Sequence, residues 1–114
     1  MSYEINPTKT FLRGAKVLKK RYHSFDTDLE DFKKSLQANP FQGAELSPGI
    51  RKIRMAISSK GRGKSGSARV ITANAIIAEH EGRIALLTIY DKQDATTVDL
   101  RIIKQMAKEL GFGE

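Results

Sequence analysis

The sequence predicts an α+β domain, with two N-terminal helices packed on a twisted, mainly antiparallel sheet and a further helix at the C-terminus. Three observations carry that prediction. Apolar residues recur at helical spacing up to Pro40, they form strand-length blocks between about 51 and 90, and helical spacing returns near the end. The 114 residues suit one domain spanning 1–114, and 39% hydrophobic content suffices for one core.

Tyr3-Glu4-Ile5 reads as a short first strand. Asn6-Pro7 is a helix-start signal, a capping side chain followed by a fixed φ. Phe11, Leu12, Ala15, Leu18 and Tyr22 then fall at helical spacing, predicting a helix from about Pro7 to Lys20. Gly14 weakens that helix. Its closing cations Lys16, Lys19, Lys20 and Arg21 suit the helix dipole. Thr27-Asp28-Leu29-Glu30 has the form of a capping box, and Ser24 competes as the cap. Phe25, Leu29, Phe32 and Leu36 give the second helix its apolar stripe, which ends before Asn39-Pro40.

Residues 38–50 read as a loop punctuated by Asn39, Pro40, Gly43, Pro48 and Gly49. Strands follow at about 51–58, 67–78 and 83–90, with connections tight enough for antiparallel pairing. The alternation over 71–77 is imperfect, which predicts a bulge or twist. Ile84 to Tyr90 is the most apolar run and is expected at the centre of the sheet. Thr96, with Asp99 three residues on, can cap a last helix. Ile102, Ile103, Met106 and Leu110 would be its buried stripe, and Gly111 stops it. All helices are expected on one side of the sheet, leaving the other side for a ligand.

Charge is distributed unevenly. Between Glu45 and Glu79 lie 33 residues without a carboxylate, and they hold seven cations: Arg51, Lys52, Arg54, Lys60, Arg62, Lys64 and Arg69. The rest of the chain carries 13 basic and 13 acidic side chains, so the formal charge of +7 resides in this segment. Ordinary surfaces mix signs, so an anionic partner is indicated, with nucleic acid ahead of an acidic protein or a membrane surface. Ile53, Met55 and Ile57 alternate with Lys52 and Arg54, which places the two cations on one strand face about 6–7 Å apart. Arg69 opens the next strand, and Lys60, Arg62 and Lys64 lie on the Gly-rich loop between. Cations on a sheet keep a fixed spacing, which suits a polyanion.

Several chemistries lack their residues. Without cysteine there is no disulfide framework, thiolate nucleophile or thiolate metal site, and the composition fits a reducing compartment. His23 and His80 lie far apart in sequence, so no metal site or cofactor is expected. No serine has the strand-elbow setting of a hydrolase. Gly61-Arg62-Gly63-Lys64-Ser65 lacks P-loop spacing and precedes a strand, which excludes that phosphate loop. No apolar run is long enough to span a membrane, and Met1-Ser2-Tyr3-Glu4-Ile5 has no secretory pattern, so a cytoplasmic protein is expected.

RNA cleavage needs less equipment. A 2′-hydroxyl attacks the adjacent phosphate when a base takes its proton, cations stabilise the crowded phosphorane, and an acid protonates the 5′ oxygen. Lys52, Arg54 and Arg69 can supply charge, with Lys92 at the exit of the apolar strand. Tyr90 reads either as a stacking or proton-handling group or as a half-buried strand aromatic.

Arg51-Lys52-Ile53-Arg54-Met55, the Gly-Lys-Ser-Gly-Ser-Ala-Arg-Val run at 63–70, and Leu87-Thr88-Ile89-Tyr90-Asp91-Lys92 together resemble the RelE/HigB group of the RelE/ParE superfamily of bacterial toxins. The resemblance covers nearly the whole chain and implies a small RelE/ParE-like domain. It implies a ribosome-dependent mRNA endoribonuclease, silenced by a cognate antitoxin that commonly also binds operator DNA. Direct DNA binding is expected only through that antitoxin. The family pattern matches Lys52, Arg54 and Arg69, and aligns a further arginine with Lys92. Its tyrosine after that arginine has no counterpart in 95–98, nor does the histidine of some HigB-like members appear on the first basic strand. The working assignment makes Lys52 base or charge stabiliser, Arg54 and Arg69 the phosphate clamp, and Lys92 the cation that neutralises the leaving side or the pentacoordinate state. Arg51, Lys60, Arg62 and Lys64 would grip RNA backbone.

Two alternatives share the sequence features: a non-catalytic toxin of the ParE branch acting on gyrase, and a ribosome- or RNA-binding module without cleavage. A helix-based DNA reader is disfavoured because the charge sits on strands.

Overall fold

A computed structural model describes residues 2–60, 67–95 and 98–112. The elements in order are β1 (Glu4–Pro7), α1 (Lys9–Arg21), α2 (Phe25–Ala38), β2 (Ala44–Ser47), β3 (Ile50–Ala56), a 3-10 turn (Ser58–Lys60), β4 (Ser67–Ala78), β5 (Glu81–Asp91) and α3 (Leu100–Glu109). The strands make one five-stranded sheet in the order β1-β5-β4-β3-β2.

This architecture corrects the expected one. The sheet is mixed: β1 precedes both helices and pairs parallel to β5, with Ile5 opposite Ile84. The chain therefore enters the sheet before its helices, and the crossover through α1 and α2 carries it from one edge, β1, to the opposite edge, β2. The helices also divide between two faces. Phe11, Leu18, Phe25, Phe32 and Leu36 of α1 and α2 pack with Ile53, Met55, Val70 and Leu86. Ile103 and Ala107 of α3, with Phe112, pack on Ile50, Ile71, Ala73 and Leu87 from the other side. Two apolar sheet faces need two covers, because a sheet open on one side would leave Ile71 and Leu87 in water.

Local details shift for identifiable reasons. Asn6 and Pro7 stay in β1, so the cap of α1 is Thr8, whose Oγ1 accepts from the Phe11 amide (2.9 Å) and donates to the Leu87 carbonyl (2.7 Å). Gly14 permits contact: a Cβ there would stand 2.4 Å from the Ile89 carbonyl oxygen, so α1 lies directly on β5. Asp28 of the capping-box motif is buried and bridges to the 3-10 turn, accepting from the Ser58 amide (3.0 Å) and hydroxyl (2.7 Å).

Within the expected loop at 38–50, Ala44–Ser47 forms edge strand β2, paired antiparallel to β3. The imperfect alternation in β4 coincides with register shifts at Ile71/Thr72 and Ile76/Ala78. The middle strand of the five is β4; the most apolar strand, β5, lies between β4 and β1.

The α3 cap is Asp99, accepting from the Arg101 amide at 3.0 Å; Thr96 lies outside the described residues. The buried stripe of α3 is Ile103 and Ala107, whereas Ile102 and Leu110 are exposed. Gly111 (φ +86°) ends the helix, and the Phe112 amide donates back to the Ala107 carbonyl (2.9 Å), which folds Phe112 under α3. No helix among the described residues is long and apolar enough to cross a membrane.

Candidate nucleic-acid interface

Strand register brings the cations together. Arg54 of β3 stands opposite Arg69 of β4, and Arg69 stands opposite Tyr90 of β5. Lys52 precedes Arg54 by two residues and so shares its face. Ile50 and Ile71 on that face lie under α3, and the polar row continues the same face beyond them.

Lys52, Arg54 and Arg69 line a cavity of about 530 Å³, with Ile53 between them on β3 and the facing wall from Gln42, Gly43 and Ala44. Gly43 sets that wall. Its φ is +74°, and a Cβ would come within 2.1 Å of the Lys52 carbonyl oxygen, so the 42–44 segment runs tightly against β3. The Arg51 side chain holds the same segment, donating to the carbonyls of Gln42 (2.7 Å) and Gly43 (3.1 Å).

The three cavity cations differ in exposure. Arg54 is exposed, Lys52 half-buried and Arg69 buried. The Arg69 guanidinium donates to Ser67 Oγ (2.5 Å) and the Ala68 carbonyl (3.3 Å), which fixes its position at the cavity floor. Among the described residues, none of the three pairs with a carboxylate. Like charges directly opposite on a sheet are unfavourable, so the arrangement opposes stability and favours an incoming anion.

Tyr90 is half-buried and packs at the edge of the core under α3. Its hydroxyl is buried without a hydrogen-bond partner among the described residues. Burial pushes its pKa up and the charge of Arg69 pulls it down, with a net upward shift. The hydroxyl is therefore protonated at neutral pH and can donate. Tyr90 adjoins Arg69 in register but does not line the cavity.

Other expected site residues take different positions. Arg51 spends its guanidinium on the carbonyls just described. Lys60 is a correction: its ammonium lies 2.7 Å from Asp91 Oδ1 with only 9% of its side chain exposed, so it closes an internal ion pair. Lys92 lies half-buried in the turn after β5 and outside the cavity lining. Arg62 and Lys64 lie outside the described residues.

Sequence reasoning also passed over Asp91, which is 1% exposed. Beyond Lys60, it accepts from Tyr22 Oη (2.5 Å), Arg21 (3.0 Å) and the Gln93 amide (3.1 Å). Burial alone would raise its pKa, but the bonds from Lys60, Tyr22, Gln93 and Arg21 outweigh burial and bring it down to about 2. This network locks the end of β5, and with it Tyr90, to the end of α1 and the 3-10 turn. Ser67, the anchor of Arg69, and the 42–44 wall were likewise missed; Gly43 was the one signal for the wall.

Among the described residues, no three His, Asp or Glu side chains group closely enough to hold a metal ion. No protein-family model matches the chain.

Proposed function

We propose that the protein is a ribosome-dependent mRNA endoribonuclease, a toxin of the kind its sequence resembles, which cleaves a phosphodiester by 2′-hydroxyl attack without a metal. The observation carrying this reading is the Arg54–Arg69 opposition, two arginines side by side with no described carboxylate between them, next to Lys52 in one cavity. Such a site is unfavourable when empty and is neutralised by a phosphate.

Lys52 takes the proton of the 2′-hydroxyl or stabilises the charge that develops there. The 2′ oxygen then bonds to phosphorus, and the bond to the 5′ oxygen breaks. Arg69, held by Ser67, and Arg54 bind the non-bridging oxygens, whose charge grows in the pentacoordinate state. Tyr90, which adjoins Arg69 in register, supplies the proton that the departing 5′ oxygen takes, and its buried hydroxyl must turn toward the cavity to do so. Lys92, in the turn after β5 and outside the cavity lining, is assigned to neutralising the leaving side or the pentacoordinate state. Arg51 braces the cavity wall and acts through it. A cytoplasmic location, mRNA on the ribosome as substrate, and an acidic antitoxin segment covering the cations belong to the same proposal.

The test is expression of Arg69→Ala with a mapped assay of mRNA cleavage during translation. The expected result is loss of growth arrest and of cuts at normal protein level. Full toxicity at that level excludes the phosphate-clamp role. Cleavage also separates this reading from a gyrase-directed toxin and from a binding module that contacts phosphates only.

A further inference from the structure

A second concavity of about 560 Å³ lies between α3 and the β2–β3 turn, on the same sheet face as the cation cavity. Its floor is apolar, lined by Ile50, Ala73 and Phe112, of which Ala73 is fully covered and Ile50 and Phe112 show only their edges. One wall is cationic: Arg101, Lys104 and Lys108 line it from one face of α3, spaced i, i+3 and i+7. Arg101 forms an exposed pair with Asp99 at 3.3 Å. Lys104 and Lys108 are exposed, and among the described residues neither pairs with a carboxylate and none lines the groove.

The groove and the cavity are consecutive along β3. Ile50 is the groove floor, and Lys52 and Arg54 follow at two and four residues on the same face, about 7 and 13 Å away. Proteins that bind single-stranded nucleic acid combine cations that track the backbone with a side-chain platform, commonly aromatic, for a base. We infer that the groove carries the single-stranded RNA flanking the cleaved phosphodiester, with backbone phosphates against Lys104 and Lys108 and an unstacked base against the edges of Ile50 and Phe112 that reach the groove. This inference rests on the reading of the Lys52/Arg54/Arg69 cavity as an RNA-cleaving site and extends it by a flanking subsite.

The experiment measures binding of a short single-stranded RNA by fluorescence anisotropy across a salt series, together with cleavage during translation. For Lys104→Ala/Lys108→Ala, affinity at low salt should fall about tenfold, and the slope of log K against log salt should flatten by about 1.4, or 0.7 for each of two lost phosphate contacts. Cleavage should need more enzyme while keeping its cut positions. Lys104→Arg/Lys108→Arg should restore binding, because phosphate contact asks for charge, and that recovery separates contact from a folding defect. Unchanged affinity and slope in the alanine pair would overturn the inference, and would leave the groove to an acidic peptide instead. Arg54→Ala tests the other reading independently: if that variant cuts normally, the cleavage mechanism fails, whereas the groove is still judged by its own salt slope.

Discussion

Arg54 and Arg69 face each other directly across the β3–β4 ladder, and neither meets a carboxylate among the described residues. A like-charged cross-strand pair costs roughly 0.2–1 kcal/mol. Arg54→Thr keeps strand propensity and removes the repulsion. We predict that it stabilises the fold by about 0.5 kcal/mol in urea unfolding, and lowers cleavage about a hundredfold, the scale of losing one transition-state donor. A variant that is less stable than the parent would contradict the view that this pair is held against its own repulsion.

Tyr90→Phe separates packing from chemistry. The hydroxyl is buried and unpaired among the described residues, so removing it should leave stability unchanged or raise it by up to about 1 kcal/mol. Cleavage should fall by about a hundredfold or more if the hydroxyl delivers the leaving-group proton. The sign of the pH effect follows from its pKa, which burial raises above 10.0 against the pull of Arg69. Stability from this group is present below pH 10 and is lost as pH rises through the folded value. Tyr22 shifts the same way through its bond to Asp91, so Tyr90→Phe should flatten the alkaline limb of a stability–pH curve only in part.

The half of this site that sequence revealed is the half set by local alternation. Ile53 and Met55 turn inward, so Lys52 and Arg54 must turn the other way, whatever the rest of the chain does. The Arg69–Tyr90 pairing was hidden because it depends on hairpin register, and a shift at Ile71/Thr72 changes that register. β2 escaped notice since Ala44-Glu45-Leu46-Ser47 has no β-branched residue and owes its form to β3. The adjacent Ile102 and Ile103 allow two phases for α3, and only contact with the sheet chose Ile103. Parallel pairing of Ile5 with Ile84 and the ion pair of Lys60 with Asp91 join distant positions that carry no local signal.

Asp91 should govern acid stability. Its pKa is about 2 in the fold against an ordinary 3.8, so its contribution is present above pH 3.8 and lost as pH falls through 2. Asp91→Asn should flatten that acid limb. At neutral pH it leaves Lys60 buried without its counter-charge, at a cost of about 3–5 kcal/mol. Thermal unfolding between pH 2 and 7 reads both effects, and an unchanged acid limb in the variant would show that other carboxylates set it.

Gly43→Ala tests whether the wall of the cation cavity is set by close approach. Alanine elsewhere in a loop often stabilises by restricting the unfolded chain, by about 0.4–1 kcal/mol. At Gly43 two effects oppose that gain. The φ of +74° is unfavourable for any Cβ, and the added atom would meet the Lys52 carbonyl at 2.1 Å and Ile53 Cα at 3.0 Å. These are backbone atoms of β3 and cannot swing aside as a side-chain tip would. The segment must therefore lift, which loosens the carbonyls of Gln42 and Gly43 that hold Arg51. We predict a net loss of about 1–3 kcal/mol. The cavity should widen around Lys52, so cleavage should fall more through weaker RNA binding than through a slower bond-breaking step. Gly111→Ala is the matched control. It also has positive φ (+86°), but its nearest atom stands 3.9 Å away, and it lies after α3, outside both the cation cavity and the groove. Strain alone should affect both variants alike. A larger cleavage defect in Gly43→Ala, measured at equal folded fraction, then reports the contact with Lys52; equal defects would remove the wall from the mechanism.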